Sequence, residues 1–260
     1  MKVTIITINY NNGEGLRKTV ESVINQTIQD YQYIVIDGGS TDNSTEIIKK
    51  YKNHIHYWVS EPDTGIYNAM NKGIEKAEGE YLIMINSGDI LVNNDILDTV
   101  FKKNNMSDII YGDILWNDNQ IEYEEEFPEN LTFQFFRTNS LGHQATFIRK
   151  SVYDRIGLYD ENFEIVSDWK FLLTAICKYN VSYEHIPLLI SNCGRDGISC
   201  DPANFNKISF ERNEILKKEF CAYYSDYLHM DEMTSQYDRM SNLFFLRVLK
   251  KIESLFKVKN

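Results

Sequence analysis

Four prolines, four cysteines and 13 glycines in 260 residues are too few for a proline-rich stalk, a disulfide scaffold or a collagen-like repeat. The cysteines, at 177, 193, 200 and 221, form no CxxC pair and no zinc spacing. They are expected to be reduced thiols of a cytosolic protein, with a Cys193–Cys200 disulfide as the alternative. No stretch approaches the roughly 18 apolar residues of a membrane-spanning helix. The chain opens on Val3-Thr4-Ile5-Ile6-Thr7-Ile8, a short strand-like run without a cleavage site, so no signal peptide is expected. There is no GxGxxG after a strand and no P-loop glycine-lysine motif, which excludes the two commonest phosphate-binding fingerprints.

What the chain does have is apolar and aromatic mass. Hydrophobic residues make up 43%, with 17 Tyr and 14 Phe, enough for a sizeable core. The formal charge of −11 is unevenly spread. Residues 239–260 hold Arg239, Arg247, Lys250, Lys251, Lys257 and Lys259 against Glu253 alone, a local +5, so the remainder carries −16. An acidic body argues against nucleic acid as a partner.

Over residues 1–100, short apolar runs alternate with helical patterns, the signature of a parallel sheet flanked by helices. Strands are expected at 3–8, 33–36, 56–59 and 81–85, with a fifth at 109–111. Helices are expected at 15–25, 44–51 and 66–77, the second capped from residues 41–44. The fully apolar strand 81–85 should lie centrally, buried on both faces. After residue 115 the rhythm changes. Asn117-Asp118-Asn119 reads as a hairpin turn, 145–148 as a strand, and 166–178 as a helix with Phe171, Leu172 and Ala175 inward.

Polar, acidic and glycine residues cluster directly after the strands: Asn9-Tyr10-Asn11-Asn12, Asp37-Gly38-Gly39-Ser40-Thr41-Asp42, Ser60-Glu61-Pro62-Asp63-Thr64-Gly65 and Asn86-Ser87-Gly88-Asp89. In open parallel sheets, ligands bind outside the carboxyl ends of strands. Ordinary turn formation favours the same residue types and is the competing explanation. Carboxylates beside a diphosphate are unfavourable unless a cation intervenes, and Mn2+ or Mg2+ suits carboxylate, water and phosphate oxygens. Asp89, closing the most apolar strand, is the leading metal-ligand candidate; a plain turn residue is its alternative.

The run from Val3 to Asn11, then Val35-Ile36-Asp37-Gly38-Gly39-Ser40-Thr41-Asp42, then Glu61-Pro62-Asp63-Thr64-Gly65-Ile66-Tyr67-Asn68-Ala69-Met70-Asn71-Lys72-Gly73-Ile74, closely resembles family 2 inverting glycosyltransferases with the GT-A fold. The likeness continues through the strand ending at Asp89, Gly142-His143-Gln144-Ala145-Thr146-Phe147, Tyr159-Asp160-Glu161-Asn162-Phe163 and Ser167-Asp168-Trp169. The pattern is most similar to bacterial enzymes of capsule, O-antigen or exopolysaccharide synthesis. The resemblance implies an α/β GT-A domain over residues 1–220, with a donor half (1–115) and an acceptor half (116–220), then a helical tail (221–260).

It also implies roles. Thr7, Asn9, Asp37, Asp63, Gly65, Asn71, Lys72 and Ser87 would form the donor-nucleotide site, with Asp37 and Asp63 on the base and ribose of a UDP-like nucleotide. Asp89 would ligate the Mn2+ or Mg2+ that bridges the diphosphate. Asp168 would be the general base, since a sugar hydroxyl is a poor nucleophile that a carboxylate assists by about 100- to 10,000-fold. Three features depart from the family pattern: Gly38 replaces a second aspartate, Asn86 and Gly88 leave Asp89 alone, and Met70 stands where relatives carry a diphosphate-binding arginine. Lys72 either takes over that arginine's part or is a solvated surface charge.

Four further residues carry open alternatives. His143 and Gln144 contact diphosphate or acceptor, or His143 is a core or turn histidine. Trp169 either offers its ring to a sugar or packs on its helix. Arg195, in Gly194-Arg195-Asp196-Gly197-Ile198-Ser199, closes over the diphosphate or is a free surface charge. The expected reaction transfers a hexose (glucose, galactose or N-acetylhexosamine) from a UDP-sugar to a sugar acceptor linked to polyprenyl diphosphate. Its rivals are a nucleotidyltransferase, which would need a glycine-rich basic loop where Asn9-Tyr10-Asn11-Asn12 stands, and a catalytically silent nucleotide-sugar binding protein. Phe245, Val248, Leu249, Ile252, Leu255 and Phe256 recur at helical spacing among Lys250, Lys251, Lys257 and Lys259. That tail suits either an anionic membrane surface, which would make the enzyme peripheral on the inner face of the membrane, or a docked or dimer-forming helix.

Overall fold

The computed structural model describes residues 2–28, 30–102, 107–117, 121–195 and 197–257, without the side chains of 242–244 and 246–257. The chain divides into a unit Met1–Glu211 and a unit Arg212–Asn260. In the first unit, nine strands among the described residues form one sheet: β1 (Val3–Asn9), β2 (Tyr31–Asp37), β3 (Tyr57–Ser60), β4 (Tyr81–Met84), β5 (Ile90–Leu91), β6 (Ile109–Asn117), β7 (Glu122–Glu125), β8 (Thr146–Arg149) and β9 (Tyr183–Gly194). The order is β3-β2-β1-β4-β8-β6-β9-β5, with β7 paired to β6.

The first four expected strands form the parallel block β3-β2-β1-β4. It is joined by α1 (Gly13–Ile24), α2 (Ser44–Tyr51) and α3 (Ile66–Lys76). β1, β2 and β4 are buried at every position, as continuous apolar runs between helical layers require. Leu16, Val20 and Val23 make the inner face of α1, and Asn12 Oδ1 caps it by accepting from Gly15 N at 3.1 Å. The cap of α2 works differently. Asn43 at its N-cap makes no side-chain cap bond; Asp42 instead accepts from Ser44 N and, with its second oxygen, from Gly13 N.

Beyond β4 the sheet turns antiparallel. β8 enters between β4 and β6, running against both. This insertion accounts for the change of rhythm after residue 115. The expected hairpin is present as the antiparallel pair β6–β7, while its turn residues Asp118 and Asn119 lie outside the described residues. The long strand β9 had no simple pattern to read. Its Pro187 falls in the stretch where the β6–β9 register shifts, a kind of sheet position that tolerates a missing N–H. Gly112 sits opposite, where an added Cβ would lie 2.5 Å from Leu188 O.

Around the second half lie α4 (Ile96–Lys102), α5 (Phe133–Thr138), α6 (Lys150–Ile156) and α7 (Ser167–Cys177), with α8 (Phe205–Glu219) crossing the unit boundary. The other unit is mainly α9 (Cys221–Lys257). No helix of the described residues is long and apolar enough to cross a membrane. Tyr237, Met240 and Phe245 on α9 are exposed; the side chains of Val248, Leu249, Lys250, Lys251, Ile252, Leu255, Phe256 and Lys257, and all of Lys259, lie outside the described set.

Candidate active site

The ends of β1, β2 and β4 and the start of α3 surround a cleft of about 710 Å3, lined in part by Asn9, Tyr10, Gly38, Asp63, Asn86 and Ser87. Gly38 is required by close approach, since a Cβ there would lie 2.4 Å from Asp63 Oδ2. Asp63 is aimed by its own loop, its Oδ1 accepting from Gly65 N at 3.0 Å. Gly65 lines the cleft beside it. Tyr10 is 67% exposed, a large ring left open at the end of β1.

Asp37 is different. It is fully buried and absent from the cleft lining. Its carboxylate accepts from Asn9 Nδ2 (2.7 Å), Ser40 N (3.0 Å), Ser40 Oγ (2.5 Å) and Ser60 Oγ (2.6 Å). Burial raises the cost of ionising it, but the bonds from Ser40, Ser60 and Asn9 prevail and hold its carboxyl below the usual range. Asp37 therefore ties three strand ends together.

Three other expected donor-site residues are engaged within the protein. Thr7 is fully buried, its hydroxyl 3.1 Å from Tyr33 Oη. Asn71 is consumed by Tyr159 N, Tyr159 O and Glu161 Oε1, and so fixes the loop before α7. Lys72 pairs with Glu61 at 2.7 Å and reaches Pro62 O, bracing the loop that carries Asp63. Asn9 does line the cleft, with Oδ1 buried and unpartnered among the described residues.

The turn after β4 is pinned from below. Gly88, at φ +108°, donates to Thr19 Oγ1, which in turn donates to Asp89 O at 2.7 Å. The Asp89 carboxylate is 9% exposed, and its Oδ2 accepts from Gln144 Nε2 at 3.2 Å. No group of three or more His, Cys, Asp or Glu side chains gathers for a metal among the described residues. One hard carboxylate, held by the neutral Gln144 amide, nonetheless fits a Mg2+- or Mn2+-type ion, which is commonly held by one or two carboxylates plus substrate phosphates.

The second expected carboxylate centre is assembled from distant parts of the chain. Asp168, in the first turn of α7, is 18% exposed at the side chain. Its Oδ1 accepts from Tyr67 Oη and from Trp169 N, each at 2.9 Å. His143 Nδ1 lies 3.0 Å from its Oδ2, and His143 Nε2 lies 3.0 Å from Asn86 Nδ2. Burial pushes the Asp168 carboxyl up, yet the bonds from His143, Tyr67 and Trp169 outweigh it and leave the group below the usual range. The loop preceding α7 is pinned by Tyr67 Oη to Ile165 O (2.6 Å) and by Glu211, which accepts from Glu164 N and Ile165 N.

His143 and Gln144 thus each contact one of the two carboxylates. Trp169 is 1% exposed and donates from Nε1 to Phe136 O, so its ring is a core element and not a sugar platform. Arg195 is exposed but lines a separate cavity of about 570 Å3 with Lys18, Asn12 and Asn192; Ile198 is the member of its loop that lines the main cleft. Tyr10, Tyr67 and Asn86 were not named as site residues from sequence. Each does lie inside or next to a polar strand-end cluster, and that position was the available signal.

The strand-end cleft, the buried carboxylate at the turn after β4 and the hydrogen-bonded Asp168 lie on the sheet of a glycosyltransferase with the GT-A fold. Residues 4–153 match the model of glycosyl transferase family 2, more than half of the chain, and the protein belongs to that family. A PGL/p-HBAD biosynthesis glycosyltransferase of Mycobacterium bovis is 26% identical over 223 residues, covering 84% of this chain and 81% of the relative. The fold is shared with Staphylococcus aureus TarS 1–349 in complex with UDP-GlcNAc, at TM-score 0.65, 19% identity, and coverage of 84% of this chain and 68% of that one. In the UDP complex of the same protein the chain spans 60% of the neighbour's length. A Pyrobaculum calidifontis mannosyltransferase in complex with GDP-Man and Mn2+ matches at TM-score 0.58 and 15% identity, over 74% of this chain and 56% of that one.

Proposed function

We propose that this glycosyltransferase moves a hexose, with inversion, from a UDP-sugar to a sugar acceptor carried on polyprenyl diphosphate, in the synthesis of a surface polysaccharide. The observation that carries this reading is Asp168, an ionised carboxylate held by Tyr67 and His143 and joined through Asn86 to the cleft wall. Tyr10 offers its open ring to the base, and Asp63 reaches the nucleoside from its glycine-braced loop. Ser87 and the Asn9 amide complete the floor. The donor class is supported by UDP and UDP-GlcNAc in the TarS neighbours.

A divalent ion, for which Mn2+ has a precedent in the mannosyltransferase neighbour, would be held by Asp89 and would stabilise charge on the leaving diphosphate. Gln144 orients that carboxylate. Asp168 accepts the proton of the acceptor hydroxyl, and its low proton affinity keeps it ionised and ready at neutral pH. The exposed apolar residues of α9, followed by the basic segment 247–259, suit an anionic membrane surface on which a lipid-linked acceptor would lie.

The test is UDP release from UDP-glucose, UDP-galactose and UDP-GlcNAc, each with Mn2+, with Mg2+ and with EDTA. We expect release from at least one donor, lost in EDTA and accelerated by a lipid-linked sugar acceptor. Release that ignores EDTA would overturn the metal; no UDP binding by calorimetry would overturn the donor class.

A further inference from the structure

His143 has both ring nitrogens engaged, and the chemistry of its two partners decides where its proton sits. Asn86 Nδ2 can only donate, so His143 Nε2 accepts from it. In the neutral ring the proton is then on Nδ1, which faces Asp168 Oδ2 at 3.0 Å. The arrangement leaves Asn86 Oδ1 buried without a partner among the described residues.

A carboxylate offers about four lone-pair sites. At Asp168, the two on Oδ1 face Trp169 N–H and the Tyr67 hydroxyl, whose one proton is shared with Ile165 O, and one on Oδ2 is taken by His143 Nδ1–H. The remaining site is therefore also on Oδ2.

We infer that His143 is a positioning residue whose Nδ1–H holds the Asp168 carboxylate so that Oδ2, and not Oδ1, takes the acceptor proton, with Asn86 selecting the tautomer. This rests on the proposed role of Asp168 as base. In the step, the acceptor oxygen bonds to the anomeric carbon while the bond from that carbon to the diphosphate oxygen breaks. The electron pair leaves with the diphosphate, and the acceptor proton passes to Oδ2. His143 needs no change of charge. Its next neighbour in sequence, Gln144, holds Asp89, so a single short turn, His143–Ala145, braces both carboxylates.

The proposal separates two substitutions that a merely structural role would treat alike. In His143→Asn the amide nitrogen falls near the place of Nδ1 and can still donate to Asp168; in His143→Gln the longer side chain carries its nitrogen nearer the place of Nε2. We expect the Asn variant to keep kcat within about 10-fold of wild type and the Gln variant to lose about 100-fold, both with unchanged KM for the UDP-sugar that wild type hydrolyses fastest. Equal kcat for the two would overturn the proposal. An activity-independent readout is 15N NMR of the imidazoles, with the His143 signal identified by its loss in His143→Asn. A protonated Nδ1 is expected in wild type, and an unprotonated Nδ1 would sink the idea. Failure of UDP binding or UDP release in wild type would instead count against the broader reading, which calorimetry detects independently of the tautomer.

Discussion

The strand ends around the cleft and the Asp168 centre are built differently. At the strand ends, bonds within a loop, from Ser40 to Asp37 and from Gly65 to Asp63, three and two residues apart, combine with bonds between neighbouring strands, from Asn9 and Ser60 to Asp37, 28 and 23 residues apart. Around Asp168 they are long: 101 residues to Tyr67 and 25 to His143, which in turn reaches 57 residues to Asn86. A local loop can be shaped by its own sequence. A long-range centre exists only once the sheet and helices have packed, so its geometry is more exposed to substitutions in its supports.

The largest expected effect breaks the base side alone. Asp168→Asn should still bind UDP in calorimetry but lose at least about 100-fold in transfer. Near-normal transfer would hand the role to another carboxylate, and the nearby ones are engaged: Asp160 pairs with Lys170 at 2.6 Å, and Glu161 accepts from Asn68 and Asn71.

Asp89→Ala addresses the other carboxylate. We expect metal-dependent UDP affinity to fall by at least about 10-fold with an unchanged far-UV spectrum, because diphosphate and cation lose their protein carboxylate. Equal affinity in Mn2+ for variant and wild type would remove Asp89 from the metal site.

Tyr67→Phe tests the dependence on distant support. It removes the donor to both Asp168 Oδ1 and the buried Ile165 O. Urea unfolding should show a loss of about 1–3 kcal/mol. Removing a donor that stabilises the carboxylate form should also raise the Asp168 pKa, moving the acid limb of the rate profile to higher pH.

A weaker effect is expected from pH on the intact protein. Asp37 and Asp168 both have carboxyls lowered in the folded state. Their contribution to stability is present above the ordinary carboxylate value of about 4 and is lost as pH falls through the lowered folded values. Thermal unfolding from pH 7 to pH 3 should show this decline, and Asp168→Asn should flatten its share.

The smallest effect concerns the tail. A chain ending at Asp238 should fold normally yet sediment less with anionic liposomes, and the full chain should detach as salt shortens the electrostatic range below about 8 Å. Equal sedimentation of the two chains would leave α9 as a docked or self-associating helix.

The parallel block β3-β2-β1-β4 was legible from sequence because strands buried on both faces are continuous apolar runs and their polar clusters mark the strand ends. The cleft position, Asp63, Ser87 and the buried Asp89 turn were legible for the same reason. The identities of the carboxylates follow from residue order alone, and so does the resemblance to the family. What only the tertiary structure decided was which of these groups line the cleft. Thr7, Asp37, Asn71 and Trp169 lie in segments whose patterns look functional, but packing withdrew them into the scaffold, and Arg195 was carried to a second cavity. The antiparallel entry of β8 between β4 and β6 placed His143 between Asn86 and Asp168, and no local pattern could announce that. Hydrogen-bond partners separated by tens of residues are specified by the packing of whole elements, whereas strand and turn chemistry is specified by neighbours along the chain.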